Sequence, residues 1–202
     1  MAPRHNFRLW HKLLKLGCVS KQNQIQKKLK QFAALYTALD QTNKTNDKLA
    51  LLKDYFQKAS DKDKLWTLAL FTHKRPKKQV RTALLKEWTA ELAGIPEWLF
   101  GESYNVVGDL AETRALLLPE AQLEQDQPLA YWIQYLQDLE KAGDTEKKAS
   151  ILQAWSQMTQ PEKLVFNKLM TGSFRIGVSQ NLVIRAVAEV HSLEQPVVAH
   201  RL

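Results

Sequence analysis

From Asn167 to Glu189 the chain reads as two amphipathic helices joined by a tight basic turn, and this unit restricts the fold more than any other stretch. Apolar residues recur at helical spacing up to Met170, and again at Val183, Ile184, Val187 and Val190. Between them lies Thr171-Gly172-Ser173-Phe174-Arg175-Ile176-Gly177-Val178-Ser179. Gly172 stands where a helix C-cap glycine belongs, and Ser179 where an N-cap hydroxyl belongs. A turn of this kind presents a helix start, with unpaired N–H groups and the positive end of the dipole. Arg175 lies beside it, and Gly177 lets the backbone be approached closely, so the parts suit a bound phosphate. The same pattern also describes an ordinary corner between helices with a solvated arginine. No Asp or Glu lies between Glu162 and Glu189, whereas Lys163, Lys168, Arg175 and Arg185 do.

The rest of the chain follows the same helical rule. One helix is expected from about Asn23 to Leu39. A second, capped by Asn46, runs to Ala59 with Leu49, Leu52, Tyr55 and Phe56 inward. A third starts at Ser60–Asp63 and turns Leu65, Leu68 and Ala69 inward. After a basic turn, another reaches Ala93 with Leu84, Leu85, Trp88 and Leu92 inside, closed by Gly94-Ile95-Pro96. Glu97–Gly108 and Asp109–Leu117 are two more. Pro119 to Pro128 is a loop. Next come Leu129–Ala142 and Thr145–Met158, and Thr159-Gln160-Pro161-Glu162 has capping-box spacing. Gln195-Pro196 opens a last helical segment, Val197–Leu202. No segment alternates as a strand. The fold class is all-α: a multi-helix, bundle-like domain.

Composition sets outer limits. The chain has 202 residues and no run of 18 apolar ones, so no transmembrane helix is expected. The single cysteine, Cys18, excludes an internal disulfide framework. The net charge is +8, and residues 1–30 hold eight Lys or Arg and no acid. Removing those eight from 29 leaves 21 basic residues against 21 acidic ones. Such an arm suits nucleic acid, anionic lipid or a transit-type peptide. Phe7–Leu16 has the pattern of a short amphipathic helix, but nothing in the arm is patterned to pack on the helices after it. The expected division is a basic leader, 1–29, and a helical domain, 30–202.

A second basic turn precedes the helix ending at Ala93. Lys74, Arg75, Lys77, Lys78 and Arg81 crowd around Pro76, and residues 64–86 hold seven Lys or Arg and no acid. Leu84-Leu85-Lys86 aligns with Val183-Ile184-Arg185, and Ile95-Pro96 with Gln195-Pro196, as a duplicated helix–turn–helix unit would. Two such turns related by a pseudo-twofold could touch both strands of a duplex. Residues 97–146, by contrast, hold eleven acids against Arg114 and Lys141. No Walker loop, GxSxG, HExxH or metal-ligand spacing of histidines occurs. The residues describe a binding module, for a polyanion or, through the acidic and aromatic 97–146 region, for another protein.

The combination of Glu102-Ser103-Tyr104, Val107-Gly108-Asp109-Leu110-Ala111-Glu112, Phe166-Asn167-Lys168-Leu169, Gly172 to Ser179 and Val197-Val198-Ala199-His200-Arg201-Leu202 resembles the N-terminal DNA-binding domain of ATP-dependent DNA ligases, over about residues 30–202. The resemblance is closest to bacterial members. It implies a monomeric helical domain that grips the minor groove of nicked double-stranded DNA during repair, replication or recombination, in the bacterial cytoplasm and at the nucleoid. It carries Lys168, Gly172, Ser173, Arg175, Gly177 and Ser179 onto the family's phosphate-contacting turn. Lys74, Arg75, Lys77, Lys78 and Arg81 occupy the equivalent place in the first half. Gly108 and Asp109 fall on a Gly-Asp-Leu motif with a structural role. The family's adenylated Lys-x-Asp-Gly does not occur here. The expectation is a DNA-binding piece with no cofactor of its own, ATP and a divalent metal such as magnesium belonging to the complete enzyme.

Overall fold

The structure, a computed structural model, describes residues 29–72, 78–122, 127–172, 174 and 176–201. Among these, eleven α-helices and one 3-10 turn form the regular structure, with no strand. They are α1 (Leu29–Gln41), α2 (Thr45–Lys58), α3 (Asp61–Phe71), α4 (Thr82–Ala93), α5 (Glu97–Val107), α6 (Leu110–Leu117), α7 (Leu129–Asp138) with the 3-10 turn Leu139–Lys141, α8 (Asp144–Ser156), α9 (Gln160–Thr171), α10 (Gln180–His191) and α11 (Gln195–Arg201). The amphipathic segment expected at Phe7–Leu16 lies outside the described residues.

Each helix follows from spacing and caps. In α1, Leu29, Phe32, Ala33, Tyr36 and Leu39 recur three and four apart and are all buried. Leu29, at the expected leader boundary, is the first residue of α1, and its N–H reaches Gln127 O at 2.8 Å. The Ser60 hydroxyl caps α3 by accepting the Asp63 N–H at 3.2 Å. At the start of α9, the Glu162 carboxylate accepts the Thr159 N–H at 2.9 Å and its hydroxyl at 2.6 Å.

Helix starts recur about one hundred residues apart: Leu29 and Leu129, Thr45 and Asp144, Asp61 and Gln160, Thr82 and Gln180, Glu97 and Gln195. The chain is therefore two five-helix halves, α1–α5 and α7–α11, joined by α6. The Leu84–Val183 alignment falls within this register. The halves exchange helices. α3 packs on α7 and α4 on α8, while α9 packs on α1 and α10 on α2. One core results, with Trp132, Trp155, Phe32, Phe56 and Phe166 among its fully buried side chains. Trp132 meets Phe166 edge-on at 5.5 Å, joining α7 to α9. Each buried Leu or Phe contributes roughly 2 kcal/mol.

Several expectations shift. Asn46 is not the cap of α2; Lys44 holds that position, and the helix starts at Thr45. In α3 the buried face is Thr67, Leu68, Leu70 and Phe71, with Leu65 and Ala69 only half-buried. The face turns because Thr67 bonds the Tyr55 hydroxyl of α2 and Phe71 stacks on Phe32 of α1, while α7 packs on α3 as well. Leu92 is 39% exposed, because α4 ends beside solvent. The helix expected to reach Ala142 stops at Asp138 and tightens into the 3-10 turn. α8 starts at Asp144, with Gly143 as its cap.

Polar bonds also cross between the halves. The buried Asp63 carboxylate accepts the Ala130 N–H at 2.8 Å, capping α7 from α3. Asp63→Ala leaves that helix start without its acceptor inside the fold. The expected result is a loss of about 1–2 kcal/mol, read as a lower urea midpoint at unchanged slope. An unmoved midpoint would show that the bond contributes nothing.

Candidate nucleic-acid interface

The second turn is held from both ends and from beneath. Gly172 adopts φ 71° and closes α9 by donating its N–H to Lys168 O at 2.8 Å. The Ser179 hydroxyl caps α10, accepting the Leu182 N–H at 3.2 Å. Between them Phe174 and Ile176 are buried. Phe174 lies 5.8 Å from Tyr36 and 6.2 Å from Phe32, edge-on or tilted, which anchors the turn on α1.

Lys48 of α2 completes the anchor. Its ammonium donates to Ile176 O at 3.1 Å and to Gly177 O at 2.9 Å. Gly177 has φ 57°, and a Cβ there would lie 3.1 Å from Lys48 Nζ. Both facts call for glycine at this position. Lys48 is not among the residues that the sequence singles out. The signal was present: Lys48, Leu52 and Tyr55 sit at i, i+4 and i+7 on the inward stripe, and all three are buried.

A groove of about 340 Å³ runs along the start of α10, lined by Asn43, Thr45, Lys48, Gly177, Ser179 and Asn181, with Arg185 at its rim. Arg185 also reaches Glu189 at 2.8 Å, as does Lys53 of α2. A larger depression of about 690 Å³ between α10 and α11 shares Asn181 and Gln195 with the groove but has Glu194 and no cation in its lining. The groove thus holds the helix start and the positive charge together. Gly172, Gly177 and Ser179 are brought into this turn as expected. Ser173 and Arg175 lie outside the described residues.

Lys168 points elsewhere. It is 6% exposed, and its ammonium is bonded to the Asp109 carboxylate. Lys163, 2% exposed, donates to Pro119 O. Two of the four cations in the acid-free run are therefore spent inside the protein. Asp109 is also the cap of α6, accepting the N–H groups of Ala111 at 2.9 Å and Glu112 at 3.0 Å. Asn167 beside them donates to Ala111 O at 3.2 Å and accepts from the Trp155 indole at 3.0 Å. The Gly-Asp-Leu motif thus ties α6 to α9, a structural role. Burial pushes the Asp109 carboxyl up, but the Lys168 bond, the two N–H groups and the Lys168 charge bring it below its ordinary value. Arg114 of α6 is fully buried, and its guanidinium makes no hydrogen bond among the described residues. Burial lowers it to about 10 against the pull of Asp109, so it stays charged at neutral pH.

Less of the first turn falls among the described residues. Lys74, Arg75 and Lys77 lie outside the described residues. Lys78 is exposed and donates to Thr82 Oγ1 at 2.6 Å, across the start of α4. Arg81 holds the capping position and pairs with Asp144 at 2.9 Å. The two helix starts occupy equivalent places in the halves but are capped and charged differently. Arg81 stands where the other half has Ser179, and Asp144 where it has Thr45.

Residues 28–188 match the DNA ligase N-terminus family. The chain belongs to that family. A probable DNA ligase of Koribacter versatilis (strain Ellin345) is 26% identical over 165 residues, which cover 78% of this chain and 29% of that protein. The chain spans less than a third of the ligase it matches. The residues matched by the family include both turns, Lys48 and the α6–α9 junction. No described helix is long and apolar enough to cross a membrane. Among the described residues, no three His, Cys, Asp or Glu side chains gather as a metal site requires.

Asp109→Asn keeps the cap and removes the charge that balances Lys168. The expected cost is about 2 kcal/mol at neutral pH, less than for a fully buried pair because the Asp109 side chain keeps 34% exposure. A depressed folded value means the stabilisation is complete above the ordinary carboxylate value and is lost as pH falls through the folded one. The gap in urea midpoint between parent and variant should hold from about pH 7 to 5 and shrink below about pH 4. A gap that widened in acid would contradict the ion pair.

Proposed function

We propose that this chain is the DNA-binding part of an ATP-dependent DNA ligase and grips the phosphate backbone of nicked duplex DNA. The observation that carries the reading is the start of α10. There a capped helix end, Lys48 and Arg185 border an open groove, in a family defined by the DNA ligase N terminus. The positive end of a helix with backbone N–H groups suits phosphate oxygens and carries no base code. The first turn, led by Lys78 and Arg81, contacts the opposite strand across the minor groove. Arg175 supplies the strongest single contact, and Ser173, Lys74, Arg75 and Lys77 add to it. Lys168 acts through Asp109 rather than on DNA.

The domain works as a monomer beside DNA in the bacterial cytoplasm, serving strand joining in repair, replication or recombination. ATP and magnesium enter as requirements of a complete ligase, and no residue here is assigned to either.

Binding to a fluorescent nicked duplex, followed by anisotropy across a salt series, tests this reading. Affinity should fall steeply with salt and vary little with base sequence. Arg175→Ala should weaken every duplex alike and lower the log–log salt slope by about 1. Salt-independent binding would end the proposal.

A second reading, a docking surface for another protein, draws on α5. Trp98 is 68% exposed and Val106 88%. It is separable from the first: Trp98→Ala should leave DNA affinity unchanged. A loss of affinity in that variant would place α5 in the DNA interface.

A further inference from the structure

We propose that Lys48 is a positioning residue of the second turn, one that aims two backbone N–H groups at a DNA phosphate. The inference rests on the phosphate-grip reading above.

Peptide planarity sets the direction of those groups. In a trans peptide the C=O and the following N–H point in opposite directions, and no cis bond occurs among the described residues. The Ile176 carbonyl shares its plane with the Gly177 N–H, and the Gly177 carbonyl with the Val178 N–H. Lys48 draws both carbonyls toward α2, at 3.1 and 2.9 Å. The two N–H groups therefore face away from α2. Neither donates a hydrogen bond among the described residues. Successive N–H groups presented this way form an anion-binding concavity, and here they adjoin the α10 start.

The choice of lysine has a second consequence. Two carbonyl oxygens next to a phosphate would repel it. Bonded to an ammonium, their negative ends are turned aside and offset. An apolar residue at 48 would leave them free to rotate outward. Gly177 fits the same design, since a side chain there would press on Lys48 Nζ. The lysine comes from the first half and the turn from the second, 128 and 129 residues apart in the chain. The grip of one half is thus shaped by a side chain from the other.

Positioning and direct contact differ in their salt signature. The full chain, Lys48→Met, Lys48→Gln and Arg175→Ala are titrated with fluorescent nicked duplex over a potassium chloride series, and each variant's melting is followed by circular dichroism. Lys48→Met should weaken binding about tenfold at every salt concentration with the parent's slope. Lys48→Gln, which keeps an N–H donor, should recover part of the loss. Arg175→Ala should lower the slope by about 1. Parent-like affinity in Lys48→Met, or a slope reduced as for a lost phosphate contact, would overturn the proposal. As a measure needing no variant, the Gly177 and Val178 amide resonances of the unmodified chain should shift on addition of duplex, and unmoved resonances would overturn it too. If the parent bound without salt dependence, the phosphate-grip reading itself would fail. Salt-dependent parent binding with an indifferent Lys48→Met would sink only the role of Lys48.

Discussion

Exchange of helices between the two halves governs the whole molecule. α9 and α10 bury their apolar faces on α1 and α2, and α3 and α4 bury theirs on α7 and α8. A helix placed between neighbours must be apolar on more than one stripe. That is why Leu182, Val183, Ile184, Ala186 and Ala188 are all buried in α10. Ile184 and Ala188 face Val198 of α11 in a small separate cluster, while Val183 and Ala186 enter the main core. Such packing fixes where the α10 start can lie. It brings Gly177 against Lys48 and opens the groove beside them.

The junction at α6 shows how the polar interior is handled. Three charged side chains, Asp109, Lys168 and Arg114, lie at or under one helix start. Lys168 is satisfied by the carboxylate, and the carboxylate is satisfied further by two N–H groups. Among the described residues the Arg114 guanidinium has no hydrogen bond, and Asp109 attracts it through charge alone. Breaking a pair of this kind costs more than never having made it, because the partner remains buried and charged. The Gly-Asp-Leu motif is therefore best understood as the lock between α6 and α9, at a distance from the groove.

Much of the architecture could be read from the residues, because local signals and tertiary packing agree. Gly172, Ser179, Ser60 and the Thr159–Glu162 pair cap helices where their spacing says they should. The repeat was visible in Leu84 and Val183, though faintly, since the two halves share period and turn position more than residues. Burial faces were harder. Thr67 and Phe71 face inward in α3 because Tyr55 of α2 and Phe32 of α1 receive them, and no local pattern encodes those distant partners. The site was half legible. The turn was evident from its glycines and cap, but Lys48 acts across the fold. Lys168 and Lys163 looked like cations on an open face, yet the packing of α9 against α6 turns both inward. Charge alone does not reveal which way a lysine points.

The unequal capping of the two helix starts has a further consequence. A duplex is nearly the same when turned end over end, and a clamp with two identical jaws could seat it either way. Here one helix start opens on a serine cap beside a lysine. The other carries an arginine already engaged by Asp144, where its counterpart has a neutral threonine. Under the DNA reading proposed above, such unequal starts would set polarity, seating one strand end ahead of the other and giving whatever lies next along the DNA a defined side from which to approach.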